Sequence, residues 1–422
     1  MKNYFSLLDP LRFGAALGVA IFHLMFWSWA GTENIAPLGF EHLVAAPMEF
    51  KSAAPYTWFW WVGVEIFFVI SGFVIANSAS KSTPGEFLIG RALRLYPAVW
   101  VCTTLSFIVL LVFAGDKASG FILPYIRAML LVPKGINGQW LDAVYWTLAA
   151  EMAFYALVFC SMLTRTVTLR HIAIGLTLWS AAFNLFSVLV LTHVIDNNLL
   201  YWVVLMFRVP GATWLLNHGC FFALGIWLFM SANRKLTTFE WCAVAVTCLS
   251  GAAEIYYFAS FMLAAVPAIS EQSAFEPVLA WGAVVLLIAL AANKNRRAAE
   301  TPSLDAWREA PAYFRTLGLI TYPFYLIHNI TGSAVIRVLS DAGLDDTMAV
   351  WTGLALLAVF CWFTCAKIEP AIRGLLKTAI ANARRLPKTV PTASLPKSAR
   401  PISWGTPAAN FPGPRKLRGA AA

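Results

Sequence analysis

Apolar residues run along this chain in stretches of about twenty, separated by short polar and charged segments. Such a stretch is long enough for a helix to cross a bilayer. Ten are visible, near 10–30, 58–78, 96–114, 145–163, 171–191, 212–231, 239–258, 275–292, 314–337 and 347–366. Inside lipid the backbone must satisfy its own hydrogen bonds, so runs of this length predict helices. The expected fold is an all-α integral membrane bundle of about ten transmembrane helices. The first run, Leu11 to Ala30, is too long for the apolar part of a signal peptide and predicts the first span. Leu199 to Arg208 is apolar but short. It reads as re-entrant, interfacial or an eleventh span. Helical spacing over residues 371–386, with Ile372, Leu375, Leu376, Ala379 and Ile380 on one side, predicts an interfacial helix.

Charge orients this arrangement. Basic residues gather in alternate loops: Lys81, Arg91 and Arg94; Arg165 and Arg170; Arg234 and Lys235; Lys294, Arg296, Arg297 and Arg308. The other loops hold Glu33, Glu41, Glu49, Glu271, Asp341, Asp345 and Asp346. The positive-inside rule then predicts a multi-pass protein of the inner (plasma) membrane with both termini cytoplasmic. The third loop, with Lys117, Arg127 and Lys134, departs from this pattern.

Composition agrees with a lipid solvent: 59% of the 422 residues are hydrophobic and 12% charged. The net charge of +10 is local, because ten Lys or Arg and no acid follow Pro370. From Pro387 to Pro414 seven prolines predict a disordered basic tail. No folded basic module accompanies it, so nucleic acid is not an expected partner. The seven cysteines form no CxxC pair and no metal-ligand spacing, so no metal is expected.

Ionisable residues inside spans are the candidates for chemistry. Arg12 and His23 lie eleven residues apart in the first span, on one face and ~16 Å apart in depth. Gly14 and Gly18 make a GxxxG suited to close helix packing. The second span carries Glu65 and then Ser71-Gly72. Arg91 and Arg94 share a helix face, and guanidinium groups match phosphate. The fourth span carries Trp146 and Glu151; the ninth carries Tyr325 and His328 beyond Pro323, which should kink it. Each of these residues also fits a plain packing, snorkelling or hydrogen-bonding role. Glu254 and His218 read as surface or packing residues. Embedded His and Glu also suit a proton-coupled transporter or a flippase of glycan precursors.

The constellation resembles the acyltransferase-3 family. Asp9-Pro10-Leu11-Arg12 followed by His23, Phe67 to Phe73, Phe87-x-x-x-Arg91-x-x-Arg94-x-x-Pro97, Trp146-x-Leu148-x-x-Glu151 and Tyr322 to His328 stand in the family's order. Residues 5 to about 375 are covered. Two departures are Pro10, where a small residue is usual, and the segment after Glu151, which lacks a second acid and Gln. The resemblance implies one acyltransferase domain over 1–370, then the helix over 371–386 and the tail over 387–422. It implies O-acyl transfer from cytoplasmic acyl-CoA, with acetyl-CoA as the donor expected. The acceptor would be a hydroxyl of a polysaccharide, lipopolysaccharide or lipid-linked sugar at the bilayer. His23, Glu151 and Glu65 would be catalytic, His23 as base. Arg12, Arg91, Arg94 and Ser71 would bind the donor. His328, Tyr325 and Trp146 are further candidates, with His328 the rival base.

Overall fold

The structure is a computed structural model that describes residues 7–30, 39–44, 48–114, 120–134, 138–164, 166–211, 215–300 and 312–385. The expectations placed on Glu33, Lys117, Arg165, Arg308 and the tail from 387 to 422 lie outside these residues. The helices are α1 (Leu8–Phe22), α2 (Gly63–Ala79), α3 (Pro84–Ala114), α4 (Ile122–Met129), α5 (Trp146–Thr164), α6 (Leu169–Leu191) and α7 (Asn198–Gly211). They continue with α8 (Gly219–Asn233), α9 (Thr238–Ala265), α10 (Phe275–Glu300), α11 (Ala312–Ile327), α12 (Ile330–Asp341), α13 (Asp346–Phe363) and α14 (Glu369–Arg385). Among the described residues there is no β-strand.

Among the described residues, eight helical runs are long and apolar enough to cross a bilayer. The chain is an all-α, multi-pass membrane bundle. Two of the ten expected spans differ in form. The sixth becomes α8, whose 15 residues are shorter than a lone span needs. It is apolar all round and almost entirely buried, which suits a helix sheathed by other helices. The ninth is divided into α11 and α12 at His328–Asn329. The short run near Leu199 is α7, leaning on α6. The expected interfacial segment is α14, with Leu375 and Lys377 exposed.

α8 packs most heavily on α2. At the crossing, a side chain at Gly72 would strike the backbone of Phe222 and Gly225, and one at Gly225 would strike Val69 and Phe73. Two facing glycines let the helix backbones touch. The Gly14–Gly18 pair does something different. Gly18 lies under the Trp60 ring, while Gly14 meets nothing within 4 Å. The close approach of α1 to α2 comes instead at Gly63, against Ala15 and Val19.

Pro97 lies in the interior of α3 and Pro323 in the interior of α11. A helical proline has no N–H, so the carbonyl four residues earlier loses its donor. Both orphaned carbonyls are met from the C-terminal helical run. Arg373 Nε donates to Leu93 O at 3.0 Å. Cys365 Sγ donates to Leu319 O at 3.4 Å. α11 therefore continues through Pro323, and the interruption falls five residues later. A π-turn over Thr364–Ile368 joins α13 to α14 next to these contacts.

Candidate functional site

Five helices bring polar groups together around Glu151. Its Oε1 accepts from Ser71 Oγ of α2 at 2.9 Å and from Tyr155 OH, one turn along α5, at 2.5 Å. Arg12 of α1 lies in the field of Arg94, Glu151, Tyr155 and Asp9. Arg91 of α3 acts on Tyr155, and Tyr322 of α11 feels Glu151, Tyr155 and Arg94. Arg91 also reaches Ser78 Oγ, at a long 3.5 Å. Three buried atoms here have no hydrogen-bond partner: Arg12 Nε, Arg91 Nε and Tyr322 OH. Three guanidinium groups against two carboxylates, Glu151 and Asp9, leave an excess of positive charge and spare donors. Such a place is suited to an anion with several acceptor oxygens.

The second layer lies further along α1. Helix α1 widens into a π-turn over His23–Trp27, a local form common at functional positions. His23 Nδ1 is 2.9 Å from Val19 O and 3.2 Å from His328 Nε2. The two rings are tilted, with centroids 5.1 Å apart. His328 is fully buried, and its Nδ1 is 2.7 Å from Tyr325 O. The Tyr325 hydroxyl accepts from Thr147 Oγ1 at 3.1 Å.

Asp142 fixes this layer in place. Its side chain accepts from Asn329 Nδ2 at 2.8 Å, from Ile330 N at 3.3 Å and from Val144 N at 3.2 Å. One carboxylate thus caps the start of α12, which opens just past the break at His328, and the turn before α5. Tyr145 OH donates to Leu326 O at 3.3 Å and ties the turn before α5 to the end of α11. Sequence reasoning missed Asp142, Asn329 and Tyr145. The available signal was an aspartate just ahead of an apolar run and an Asn directly after an embedded His.

The structure groups the remaining candidates differently. Glu65 is not beside His23. It lies with Oε1 3.7 Å from His218 Nδ1 and feels Glu254. The His218 ring lies tilted against those of Trp146 and Phe68, with centroids 5.2 and 5.6 Å away, so Trp146 belongs to this group too. Asn217 Nδ2 reaches His218 Nε2 at 3.1 Å and Glu254 Oε1 at 3.2 Å. Arg208 Nη2 is 2.6 Å from Glu254 Oε2 and its guanidinium lies 4.1 Å from the Tyr257 ring centre. Glu254 and His218, read from sequence as surface or packing residues, are buried members of this network. Glu151 likewise serves the arginine layer rather than bonding to either histidine. Tyr325 stands between the groups, within the fields of Asp142, Glu65 and Glu151.

Chemically, the arginine layer offers fixed positive charge and the histidine layer offers an imidazole. Both open from α1, and ~16 Å of helix separates Arg12 from His23. Among the described residues, no three His, Cys, Asp or Glu converge as metal ligands.

Nodulation protein 10 from Rhizobium leguminosarum bv. viciae is similar to this chain, 28% identical over 166 residues. That stretch covers 35% of this chain and 41% of the relative, so less than half of the relative's length is spanned. No solved structure matches the chain. A family profile described as "Acyltransferase domain" matches residues 6–367, which take in Arg12 and His23 of α1, Arg91 and Arg94 of α3, Glu151 of α5 and His328. Nearly every described helix lies within that match, and the chain belongs to the acyltransferase-3 family.

Proposed function

We propose that the protein moves an acyl group, acetyl in the simplest case, from coenzyme A to a hydroxyl of a cell-surface polysaccharide, lipopolysaccharide or lipid-linked sugar. The observation that carries this reading is the pairing of two layers on one helix. Spare guanidinium donors at Arg12 and Arg91 suit the donor's phosphates, and the imidazole of His23 sits about three turns away. The pantetheine arm is a long chain of low charge suited to covering that distance. Arg94 adds charge to the same end, while Ser71 and Tyr155 hold Glu151 so that the arginines stay spread.

In this scheme the acceptor oxygen attacks the thioester carbonyl. A C–O bond forms and the C–S bond breaks. His23 takes the hydroxyl proton and returns it to the leaving thiolate, so no proton is gained or lost. General-base help of this kind is worth ~10²–10⁴-fold. The basic loops support a cytoplasmic donor side, with both termini there and the bundle in the plasma membrane.

The test uses the purified chain in detergent with radiolabelled acetyl-CoA. Release of free coenzyme A and labelling of a glycan acceptor are expected. His23→Ala should keep donor binding and lose ~10²–10⁴-fold in turnover. A chain that binds acetyl-CoA but never cleaves it under any acceptor would overturn the reading.

A further inference from the structure

We infer that His328 is a positioning residue for His23, its Nε2 joining Val19 O in accepting the Nδ1–H so that His23 Nε2 is left as the lone-pair nitrogen. This rests on the reading of His23 as the base. Two backbone carbonyls decide where the protons lie, because a carbonyl oxygen accepts and never donates. Tyr325 O lies 2.7 Å from His328 Nδ1, so that nitrogen carries the proton. In a neutral imidazole, His328 Nε2 is then the acceptor. Val19 O lies 2.9 Å from His23 Nδ1, so that nitrogen carries a proton as well. His23 Nδ1–H is therefore shared between Val19 O and, at 3.2 Å, His328 Nε2.

The two rings are satisfied together only in this arrangement. A second proton on His328 would aim N–H at N–H across 3.2 Å. His23 Nε2, which takes no part in these bonds, is free to face a substrate.

The partner is also held where it must be. His328 follows the last residue of α11, and the next two residues are bonded to the Asp142 carboxylate. That cap fixes the backbone just after His328, and the ring itself is held by burial and by its bond to Tyr325 O. Orienting an imidazole through its far nitrogen is commonly the task of a carboxylate. Among the described residues neither ring has a carboxylate hydrogen-bond partner. A neutral acceptor has a distinct consequence. A buried carboxylate would favour the imidazolium and retain its proton. A neutral imidazole stabilises the cation by its dipole alone. His23 can then surrender the proton to the leaving thiolate.

The test compares His328→Gln and His328→Leu in the full chain. A Gln side-chain oxygen can accept from His23 Nδ1–H, and Leu cannot. His328→Leu should lose ~10²-fold or more in kcat with the donor KM unchanged. His328→Gln should regain at least ~10-fold of that loss, as expected for restored general-base catalysis. Equal turnover in the two variants, or wild-type turnover in His328→Leu, overturns the inference. If His23→Ala is also fully active, the base assignment itself has failed. If His23→Ala is inactive while His328→Leu is normal, only the role of His328 has failed. Should both His328 variants misfold, nitrogen-15 spectra of histidine-labelled wild type decide, with His23→Asn for assignment. A protonated Nδ1 and bare Nε2 at His23 are expected, and the opposite tautomer refutes the inference.

Discussion

Glu151 and Glu254 are both carboxylates within membrane helices with arginine near them, yet their surroundings are opposite in kind. Glu254 is closed. Arg208 holds one oxygen at 2.6 Å, Asn217 holds the other at 3.2 Å, and Tyr257 covers the guanidinium. Glu151 is open. Two hydroxyls share one of its oxygens, and Arg12 stands by with its Nε unused. Embedded charge is expensive in either case. At Glu254 both carboxylate oxygens are held and the ion pair ties helices together, although Asn217 Oδ1 and His218 Nδ1 beside it have no partner. Where charged donors are left over, as at Arg12 and Arg91, the arrangement suits a ligand that completes it. By this criterion the Glu254 network anchors α7 to α9, and the Glu151 network is the proposed donor site.

The sharpest way to break the comparison is to remove one partner from the closed network. Arg208→Met would leave Glu254, only 4% exposed, as a buried charge without its ion pair. Such a loss costs about 3–5 kcal/mol. Thermal unfolding in detergent should therefore fall steeply, while any folded fraction keeps its donor KM. Replacing Arg208 and Glu254 together by Met should recover much of the stability. A variant with unchanged stability and a raised donor KM would exchange the roles of the two networks.

The open network should respond the other way. Arg91→Gln or Arg94→Gln removes a charged donor that has no complete protein partner to orphan. Hydrogen bonds to charged groups contribute about 1.5–3 kcal/mol. Donor KM should rise by roughly 10- to 100-fold with little change in the unfolding temperature. Isothermal titration with coenzyme A checks the same point without turnover. Unchanged affinity in both variants would remove them from the donor site.

How much of this was legible follows from the same contrast. Arg12, His23, Arg91, Arg94, Ser71, Glu151 and His328 were legible because each sits in a short local pattern. The pairing of Glu65 was not, because a helix shows its neighbours only after packing. The crossing at Gly72 and Gly225 turns α2 so that Glu65 joins His218, just ahead of α8. The sixth and ninth spans read as continuous because apolar content is blind to a sheathed short helix and to a break at His328–Asn329. Asp142 could not be ranked from sequence, since the partners that set it apart from an ordinary turn residue lie nearly two hundred residues away.

The smallest expected effect concerns the helix that holds the open network in shape. Pro97 lies one turn past Arg94, and its missing N–H frees Leu93 O. Arg373 fills that gap from α14 while paired with Glu369 one turn earlier. Arg373→Met removes both contacts; beside the loss from leaving buried Glu369 without its ion pair, the carbonyl's own share should be about 1–3 kcal/mol. The same substitution on a Pro97→Ala background should cost less, because alanine restores an N–H that can reach Leu93 O within the helix. The double-mutant cycle then yields a coupling energy of about 1 kcal/mol between residues far apart in sequence. Additive losses would mean that Arg373 acts only through Glu369. In that case α14 would be held by its ion pair, with no part in completing α3 around the proline.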